Sequence, residues 1–371
     1  MAFGRAAVAA LVLLLAAGLT PADAAGPAWE HWQHIPGVFD VVGPRSDGRL
    51  VVAGSGQLFL VDGAGAVTPF ARGPAGYADD AGAEAYLTVS PGLHVAGAAC
   101  DFARDDVFVL RLHPPYGVTR VKPSGVTEPF ATVAGVESLN GIAFDTTGRF
   151  DHRLLVSGPA HGRTSIVAID CRGAANVITA AAPVLEGGLA VAPSGFGSFA
   201  GALVAPDELS GRIYAIDPDG GVRTVADSGL PTGGDIGVES VGFVPSGFKR
   251  GGKVHYSDRA TANNPHPGTD NLLRLDAQAI TRLGVQDGDL LAATEGGAAM
   301  IAVHCGASCS VTPIVDTATN AHGEGHLLAV ADSPHPGPAP ASFSAGLPLI
   351  GLLAIVAVAA IAAAGLLRRR G

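Results

Sequence analysis

The sequence is poor in basic residues. Lys and Arg together number 23 against 33 Asp and Glu, which gives a formal net charge of −10 at pH 7, and only three of the cations are lysines. An acidic protein repels nucleic acid and anionic lipid headgroups and attracts cations. Arginine in place of lysine, with abundant Ala and Gly, is typical of a GC-rich bacterial genome. Nucleic acid is therefore excluded as a partner.

Several motifs that carry chemistry are also absent. No serine lies in a nucleophile-elbow context, no phosphate-binding loop is present, and no basic patch is interleaved with aromatic residues. The sequence therefore gives no direct sign of a serine hydrolase or a nucleotide-binding enzyme.

The first 25 residues have the layout of a secretory signal peptide. Arg5 precedes an uncharged run from Ala6 to Leu19, and small residues surround a predicted cleavage after Ala24 or Ala25. The apolar run is too short to cross a bilayer. The sequence therefore predicts export of the chain and removal of the signal peptide.

The C-terminal end predicts a single transmembrane helix. Leu347 to Leu367 is a stretch of 21 residues without a charge, and a helix of that length covers the hydrocarbon core of about 30 Å. Arginines follow at once, and positive residues stay on the cytoplasmic side. We therefore expect a single-pass plasma-membrane protein with its N-terminal ectodomain outside and its C-terminus in the cytoplasm. The predicted segments are the signal peptide (1–25), the ectodomain (26–332), a Pro-rich linker (333–344), the transmembrane helix (345–367) and an Arg tail (368–371).

An alternative for the C-terminal tail is a cell-wall sorting signal. Leu347-Pro348-Leu349-Ile350-Gly351, the apolar stretch and the arginines together resemble a sortase signal. The sortase motif carries Thr where this chain has Ile350, and sortase cleaves after that Thr. Retention as a membrane helix is therefore the favoured interpretation.

The four cysteines of an exported chain can form disulfides. A turn between two strand-like runs could bring Cys305 and Cys309 together, which would leave Cys100 and Cys171 for each other. Four cysteines allow three connectivities, so the second pair follows by elimination only. A zinc site would need two further ligands at suitable spacing.

An internal repeat dominates the ectodomain. The run Gln57–Asp62 with Gly65–Ala71 matches Arg212–Asp217 with Gly221–Ala226, and each copy is a β run, a turn of Gly, Asp or Pro, and a second β run. Two more strand-like runs precede each hairpin, so that a unit contains four short strands. Such a unit of about 40 to 50 residues is typical of a propeller blade.

The spacing of the units predicts six blades. Counterparts of the first strand at Tyr86, Ile142, Leu189 and Val241 are 56, 47 and 52 residues apart. The ectodomain is therefore predicted to be an all-β, six-bladed propeller, with a β-sandwich as the alternative. In the less regular closing region, Asp276–Val285 is expected to form a short helix that replaces a fourth strand. Glu324–Val330 is expected to pair with N-terminal strands and close the ring.

A glutamate recurs at the start of the first strand of successive units. If the innermost strands begin there, these carboxylates ring one mouth of the channel, and a hard divalent cation would relieve their repulsion. We therefore predict a Ca²⁺ or Mg²⁺ site held by a subset such as Glu137, Asn140 and Glu239. The alternative is that each glutamate accepts hydrogen bonds from its own turn. The candidate ligands are Glu84, Glu137, Asn140, Glu186, Glu239 and Glu324.

The segment His322-Gly323-Glu324-Gly325-His326 places two histidines and a carboxylate within five residues. It differs from the helical His-Glu-x-x-His zinc motif, and its glycines predict a loop that enters a strand. A metal or general-base role and an ordinary channel-lining loop are both open.

The segment Leu139-Asn140-Gly141-Ile142-Ala143-Phe144-Asp145-Thr146-Thr147-Gly148 resembles the blade opening of six-bladed propellers of the regucalcin and gluconolactonase family and of NHL-repeat propellers. The resemblance implies a divalent ion that polarises a lactone carbonyl and is bound by one Glu, one Asn and one Asp. Asn140 matches the Asn, Glu137 or Glu239 could be the Glu, and no Asp matches.

Taken together, these features predict a membrane-anchored propeller that binds an extracellular protein or small-molecule ligand. The alternative function is a divalent-metal-dependent lactonase or esterase with its site at the channel mouth.

Overall fold

The structure, a computed structural model, describes residues 26–72, 84–315 and 319–332. These residues form six four-stranded antiparallel sheets and one two-stranded ribbon. The innermost strands of neighbouring sheets lie side by side around one axis, and the last sheet contacts the first. The six-bladed propeller is therefore confirmed and the β-sandwich alternative is wrong. The predicted signal peptide, linker, transmembrane helix and Arg tail lie outside the described residues.

The chain begins with a strand that belongs to the last blade, β1 (Glu30–His34). Blades 1 and 2 follow, and each runs from the innermost to the outermost strand in chain order, with a small ribbon inserted in blade 2 after its first strand. Blade 1 consists of β2 (Asp40–Val42), β3 (Leu50–Gly54), β4 (Gln57–Val61) and β5 (Val67–Arg72). Blade 2 consists of β6 (Leu87–Val89), the ribbon β7 (His94–Val95) and β8 (Cys100–Asp101) around a 3₁₀ turn (Ala96–Ala98), then β9 (Val107–Arg111), β10 (Gly117–Val121) and β11 (Thr127–Thr132).

Blades 3 and 4 have the same order of strands. Blade 3 consists of β12 (Gly141–Phe144), β13 (Leu154–Ala160), β14 (Arg163–Ile169) and β15 (Ala175–Ala182). Blade 4 consists of β16 (Ala190–Val191), β17 (Leu203–Asp207), β18 (Arg212–Ile216) and β19 (Val222–Asp227), with a 3₁₀ turn at Gly197–Phe199.

Blades 5 and 6 exchange strands along the chain. The innermost strand of blade 5 is followed by two strands of blade 6 and a short helix, after which the chain returns to complete blade 5 and then supplies the innermost strand of blade 6. Blade 5 consists of β20 (Val238–Phe243), β23 (Leu290–Thr294), β24 (Met300–Cys305) and β25 (Cys309–Val315). Blade 6 consists of β26 (Gly323–Val330), β21 (Lys253–Asp258), β22 (Asn271–Asp276) and β1.

This exchange corrects two expectations for the closing region. The helix α1 (Ala277–Thr281) exists, but it connects β22 of blade 6 to β23 of blade 5 and replaces no strand. The strand β26 does not pair with the N-terminal strand, because β21 and β22 lie between them in the sheet. The N-terminal strand nevertheless closes the ring as the outermost strand of blade 6. None of the helices within the described ranges is long and apolar enough to span a bilayer.

The hydrophobic core is divided among the interfaces between neighbouring blades. The described residues form six clusters of buried side chains, and each cluster joins the facing surfaces of two adjacent blades. Between blades 2 and 3, for example, Phe108 and Phe144 pack with ring centroids 5.5 Å apart. The cluster between blades 6 and 1 includes Leu272 and Val41. Every blade therefore buries both of its faces, which requires a closed ring.

The repeated Asp and Gly of the hairpin turns have structural reasons. Asp170 Oδ1 accepts hydrogen bonds from the backbone N–H groups of Arg172 (2.8 Å) and Ala174 (3.0 Å), and so fixes the turn between β14 and β15. Gly173 in this turn has φ +83°, and a Cβ atom there would lie 2.3 Å from the Phe130 carbonyl oxygen of the preceding blade. Only glycine permits this backbone conformation and close approach together. The turn residues therefore pack one blade against the next.

Both predicted disulfides are present. Cys305 and Cys309 join the ends of β24 and β25 within blade 5, with their Cα atoms 4.1 Å apart. Cys100 and Cys171 join the ribbon of blade 2 to the β14–β15 turn of blade 3, with Cα atoms 5.9 Å apart. The second bond therefore links neighbouring blades covalently.

Candidate cation site at the acidic mouth

One end of the channel collects most of the acidic side chains singled out from the sequence. The innermost strands begin at this end, and the second strands of the antiparallel blades finish there. A cavity of about 290 Å³ opens at this end. We call this region the acidic mouth and define it by the carboxyl groups of Glu84, Glu186, Glu208, Asp235, Glu239, Glu295 and Glu324 together with Arg259 and His322.

Arg259 provides one positive charge inside the acidic mouth. Its Nη1 lies 3.2 Å from Glu84 Oε1 and 3.2 Å from Glu324 Oε1, and its side chain is only 14% exposed. The Arg259 backbone N–H donates to the His322 carbonyl at 2.8 Å, which fixes the residue just beyond the end of β21. A guanidinium with several donors can bridge two carboxylates in this way. Arg259 therefore joins the first-strand glutamates of blades 2 and 6.

His322 provides the second positive charge. Its Nε2 lies 2.9 Å from Glu295 Oε1 and 3.3 Å from Glu324 Oε1, and the side chain is buried. Burial lowers the pKa of His322, but the hydrogen bonds to Glu295 and Glu324 outweigh burial and raise the pKa to about 9. At neutral pH the imidazole is therefore protonated and donates to a carboxylate.

Four carboxyl groups of the acidic mouth have a raised pKa, namely those of Glu84, Glu186, Glu208 and Glu239. Burial and the neighbouring Glu324 raise the pKa of Glu84 to about 9. Burial and a hydrogen bond with Glu295 raise the pKa of Glu208 to about 8. Burial, with repulsion from other glutamates, also raises the pKa of Glu186 and of Glu239. Two cationic groups therefore do not neutralise this cluster, and part of its charge is removed by protonation.

Two contacts span the channel behind the acidic mouth. The Tyr86 hydroxyl of blade 2 donates to Glu239 Oε1 of blade 5 on the opposite side. His326 of blade 6 lies with Nε2 2.9 Å from the Ile142 carbonyl oxygen of blade 3, and its Nδ1 lies 3.0 Å from Asp40 Oδ1. These contacts bridge opposite blades across the axis, so the acidic mouth is a pocket with a floor.

The structure brings four of the five in-register glutamates together, namely Glu84, Glu186, Glu239 and Glu324. Glu137 lies outside the cluster: its side chain is 61% exposed, and its Oε1 accepts a hydrogen bond from the His161 N–H at 2.9 Å in the β13–β14 turn. The Glu137 carboxylate is therefore bonded to the backbone of another turn of blade 3 and not to its own turn.

The Asn140 side chain links blade 3 to the segment that leads into blade 4. Its Nδ2 donates to the Leu185 carbonyl at 2.8 Å, and its Oδ1 accepts from the Ser157 hydroxyl at 3.0 Å. Both polar atoms of the amide are therefore engaged with the protein. In the subset Glu137, Asn140 and Glu239, each side chain is therefore held by a different partner.

The histidines of the His322–His326 segment point to different places. His322 lines the acidic mouth, whereas His326 contacts Asp40 of the neighbouring blade 1 and reaches across the channel to the Ile142 carbonyl. Gly325 between them has φ +74°, and a Cβ there would lie 2.3 Å from the Phe39 carbonyl oxygen. The two imidazoles therefore do not share a ligand.

Four residues of the acidic mouth were missed from the sequence, namely Glu208, Asp235, Arg259 and Glu295. Glu208, Arg259 and Glu295 each directly follow the second strand of a blade, β17, β21 or β23. The repeated glutamate marks only the beginnings of first strands. Because paired strands are antiparallel, the last residues of second strands reach the same mouth, and that register could have found them.

Glu295, His322 and Glu324 are spaced to hold a metal ion. One ligand atom from each residue lies within 4.8 Å of the others, and all three side chains are buried. Carboxylate oxygens suit Ca²⁺, Mg²⁺ and Mn²⁺, whereas imidazole nitrogen suits first-row transition metals. The donor set fits a divalent cation, with oxygen atoms of other glutamates nearby.

Comparison with known proteins finds distant structural resemblances. No protein-family model matches the chain, and no curated protein matches it by sequence. Solved structures that resemble it include a streptogramin B lyase, at 11% identity and a TM-score of 0.41 over 81% of this chain and 91% of that chain. A calcium-binding protein, regucalcin, from Agrobacterium tumefaciens is 17% identical, with a TM-score of 0.36 over 64% of this chain and 74% of that chain. A putative gluconolactonase is 13% identical, with a TM-score of 0.34 over 68% and 92%.

Proposed function

We propose that this protein is an exported, membrane-anchored propeller that acts as a binding module, and that its acidic mouth binds a divalent cation. The observation that carries the proposal is the convergence of carboxyl groups from blades 2, 4, 5 and 6 around Arg259 and His322. Buried carboxyl groups that repel one another gain from a cation that replaces their protons. The site is therefore suited to take up a cation from outside the cell.

The proposed location rests on the two ends of the chain and on the disulfides. The uncharged stretch Leu347–Leu367 followed by arginines supports one span, with the ectodomain on the outer face of the plasma membrane. Cys100–Cys171 and Cys305–Cys309 support exposure to an oxidising compartment.

The proposed ligands are Glu295, His322 and Glu324, with Ca²⁺ or Mg²⁺ as the predicted ions. The His322 nitrogen makes Mn²⁺ a third ion to compare. Because His322 must lose its proton to bind a metal, uptake of the ion releases protons. The affinity for the cation is therefore expected to rise between pH 6 and pH 9.

Calorimetric titration of the purified full-length chain with each ion tests the proposal. A specific ion must bind with a defined stoichiometry and raise the melting temperature with its concentration. Glu324→Gln is expected to weaken binding at least tenfold, since the variant removes a charged ligand. Glu137→Gln is the matched control, because Glu137 lies on the equivalent position of blade 3 but outside the cluster. Equal loss in both variants, or no saturable binding by any of the three ions, would refute the proposal.

Hydrolysis of a lactone or ester is a second candidate function. The contact that favours it is His322 against Glu295 at 2.9 Å. In this second function His322 is not a ligand: Glu295 and Glu324 would hold the cation that polarises the carbonyl group, and the protonated imidazole of His322 would donate a proton to the leaving alkoxide. Assay of the wild type against a lactone panel, with Glu239→Gln and Glu295→Gln as variants, separates the two functions. Turnover that both variants abolish supports the hydrolase, and absence of turnover leaves the binding module.

A further inference from the structure

A second cavity lies at the opposite end of the channel, where the innermost strands finish. Its volume is about 420 Å³, which is within the range of small-molecule sites. The innermost strand of every blade contributes an apolar side chain to its wall. We call this cavity the apolar mouth, and one lining residue from each blade is Val42, Val89, Phe144, Val191, Phe243 and Leu328.

The apolar mouth is separate from the acidic mouth. His326 lines the apolar mouth and spans the channel to the Ile142 carbonyl of the opposite blade. The contact between Tyr86 and Glu239 spans the channel between another opposite pair, blades 2 and 5. A molecule in the apolar mouth therefore meets a closed floor and does not touch the glutamates of the acidic mouth.

The charges at the rim of the apolar mouth favour an anion. Arg45 and Arg104 line it, with Asp105 as the acidic group between them. Asp105 is already engaged, because its Oδ1 accepts from the Ser46 N–H at 2.8 Å and its Oδ2 accepts from the Ser46 hydroxyl. The rim therefore carries an excess of positive charge.

Arg45 has unused hydrogen-bonding capacity. Its side chain is 7% exposed, and Nη2 lies 3.7 Å from Asp47 Oδ2, which is longer than a hydrogen bond. Nε and Nη1 have no acceptor among the residues that the structure describes, and the guanidinium lies 5.1 Å from the Phe70 ring centroid. A buried guanidinium without a full set of acceptors is stabilised when an anion reaches it.

We propose that the apolar mouth binds a small amphipathic acid, with an apolar body against the innermost strands and a carboxylate at Arg45. The apolar side chains of the walls account for the apolar body, since burial of an alkyl chain is favourable in proportion to the area removed from water. The arginines account for the carboxylate, which the acidic mouth at the other end of the channel would repel. The proposal is independent of cation binding and of membrane anchoring.

Photolabelling of the full-length chain in zwitterionic lipid nanodiscs tests this site. The probe is decanoate that carries a diazirine on its alkyl chain, and labelled peptides are identified by mass spectrometry. Labelling is expected on peptides that contain Phe144, Val191 or Phe243, and an excess of unlabelled decanoate should suppress it. Decanol should compete at least tenfold less well, because it lacks the charge that pairs with Arg45.

Variants distinguish the site from adventitious labelling. Arg45→Met is expected to reduce labelling about tenfold, whereas Arg49→Met, which removes an exposed arginine paired with Asp47, should leave it unchanged. Ala190→Phe fills the cavity and should abolish labelling even if the Arg45 variant fails to fold. Glu324→Gln should have no effect, whatever its effect on cations. Labels confined to other segments, or equal competition by decanol and decanoate, would overturn the proposal.

Discussion

Substitution of Arg259 by Met tests whether the positive charge of this side chain stabilises the cluster of carboxyl groups in the acidic mouth. The variant keeps the length of the side chain but removes contacts of 3.2 Å to Glu84 and Glu324. Removal of one partner from a buried ion pair costs about 3 to 5 kcal/mol. A propeller of about 300 residues has an unfolding entropy of about 0.6 kcal/mol per kelvin, so the melting temperature should fall by about 5 to 8 °C.

The loss should depend on pH. At pH 6, carboxyl groups such as Glu84, whose pKa is raised to about 9, carry a proton and need Arg259 less. At pH 9 more of them are ionised, and the missing guanidinium leaves their repulsion uncompensated. The difference in melting temperature between variant and wild type is therefore expected to be larger at pH 9 than at pH 6.

Differential scanning calorimetry of the full-length chain in the presence of a chelator measures both effects. Arg49→Met is the control, because Arg49 forms an exposed ion pair with Asp47 at 2.6 Å, and such pairs contribute about 0 to 1 kcal/mol. A melting temperature within about 1 °C of the wild type at pH 9 would show that Arg259 does not compensate the cluster. The same loss at both pH values would show that protonation of the carboxyl groups is not involved.

Two further predictions concern stability. Replacement of Cys100 and Cys171 by Ser should lower the free energy of unfolding by about 4 kcal/mol, and replacement of Cys305 and Cys309 by about 2 kcal/mol. The difference arises because the two disulfides close loops with sequence separations of 71 and 4 residues. Equal losses of melting temperature would contradict this prediction. The folded pKa of Glu84, about 9, lies above its ordinary value of 4.5, so the folded protein binds more protons than the unfolded chain between these values. Stability without added metal should therefore fall as the pH rises from 6 to 9, and a calorimetric series that shows a rise would refute the assignment.

The regular blades were predictable because their strands pair with neighbours in sequence. The strand exchange between blades 5 and 6 was not predictable, because it depends on pairing between distant segments. The hairpin of β4 and β5 joins residues that are close in sequence, so its alternating pattern and its turn are visible together. The exchange between blades 5 and 6 cannot be read from the sequence, because the residue pattern of β21 resembles that of the second strands of other blades. It is assigned to blade 6 by pairing such as Lys253 with Val330, 77 residues later. The sequence pattern of β21 alone does not indicate that it pairs with β26.

The sequence predicts which glutamates lie near the acidic mouth, because that depends on their position along a strand. It does not predict which carboxylates meet there, because that depends on the direction of each side chain. Glu84, Glu239 and Glu324 were found because the start of a strand determines where the residue lies. Glu137 has the equivalent position in blade 3, but its carboxylate accepts a hydrogen bond from the His161 N–H in the β13–β14 turn. Glu295 was missed because its role depends on the antiparallel register of β20 and β23. The repeat therefore indicates which end of the channel is acidic but not which carboxylates meet.

The exchange of strands has a consequence for how the protein is made. During synthesis, blades 1 to 4 can each be completed as soon as four consecutive strands have emerged, whereas β20 has to wait for β23 (Leu290–Thr294), and the sheet of β1, β22 and β21 has to wait for β26 (Gly323–Val330). Nearly a hundred residues, from β20 to the end of β26, must be delivered before both closing blades are whole. A chain truncated after Asp276 should therefore form an open ring with exposed apolar edges, which proteases would attack.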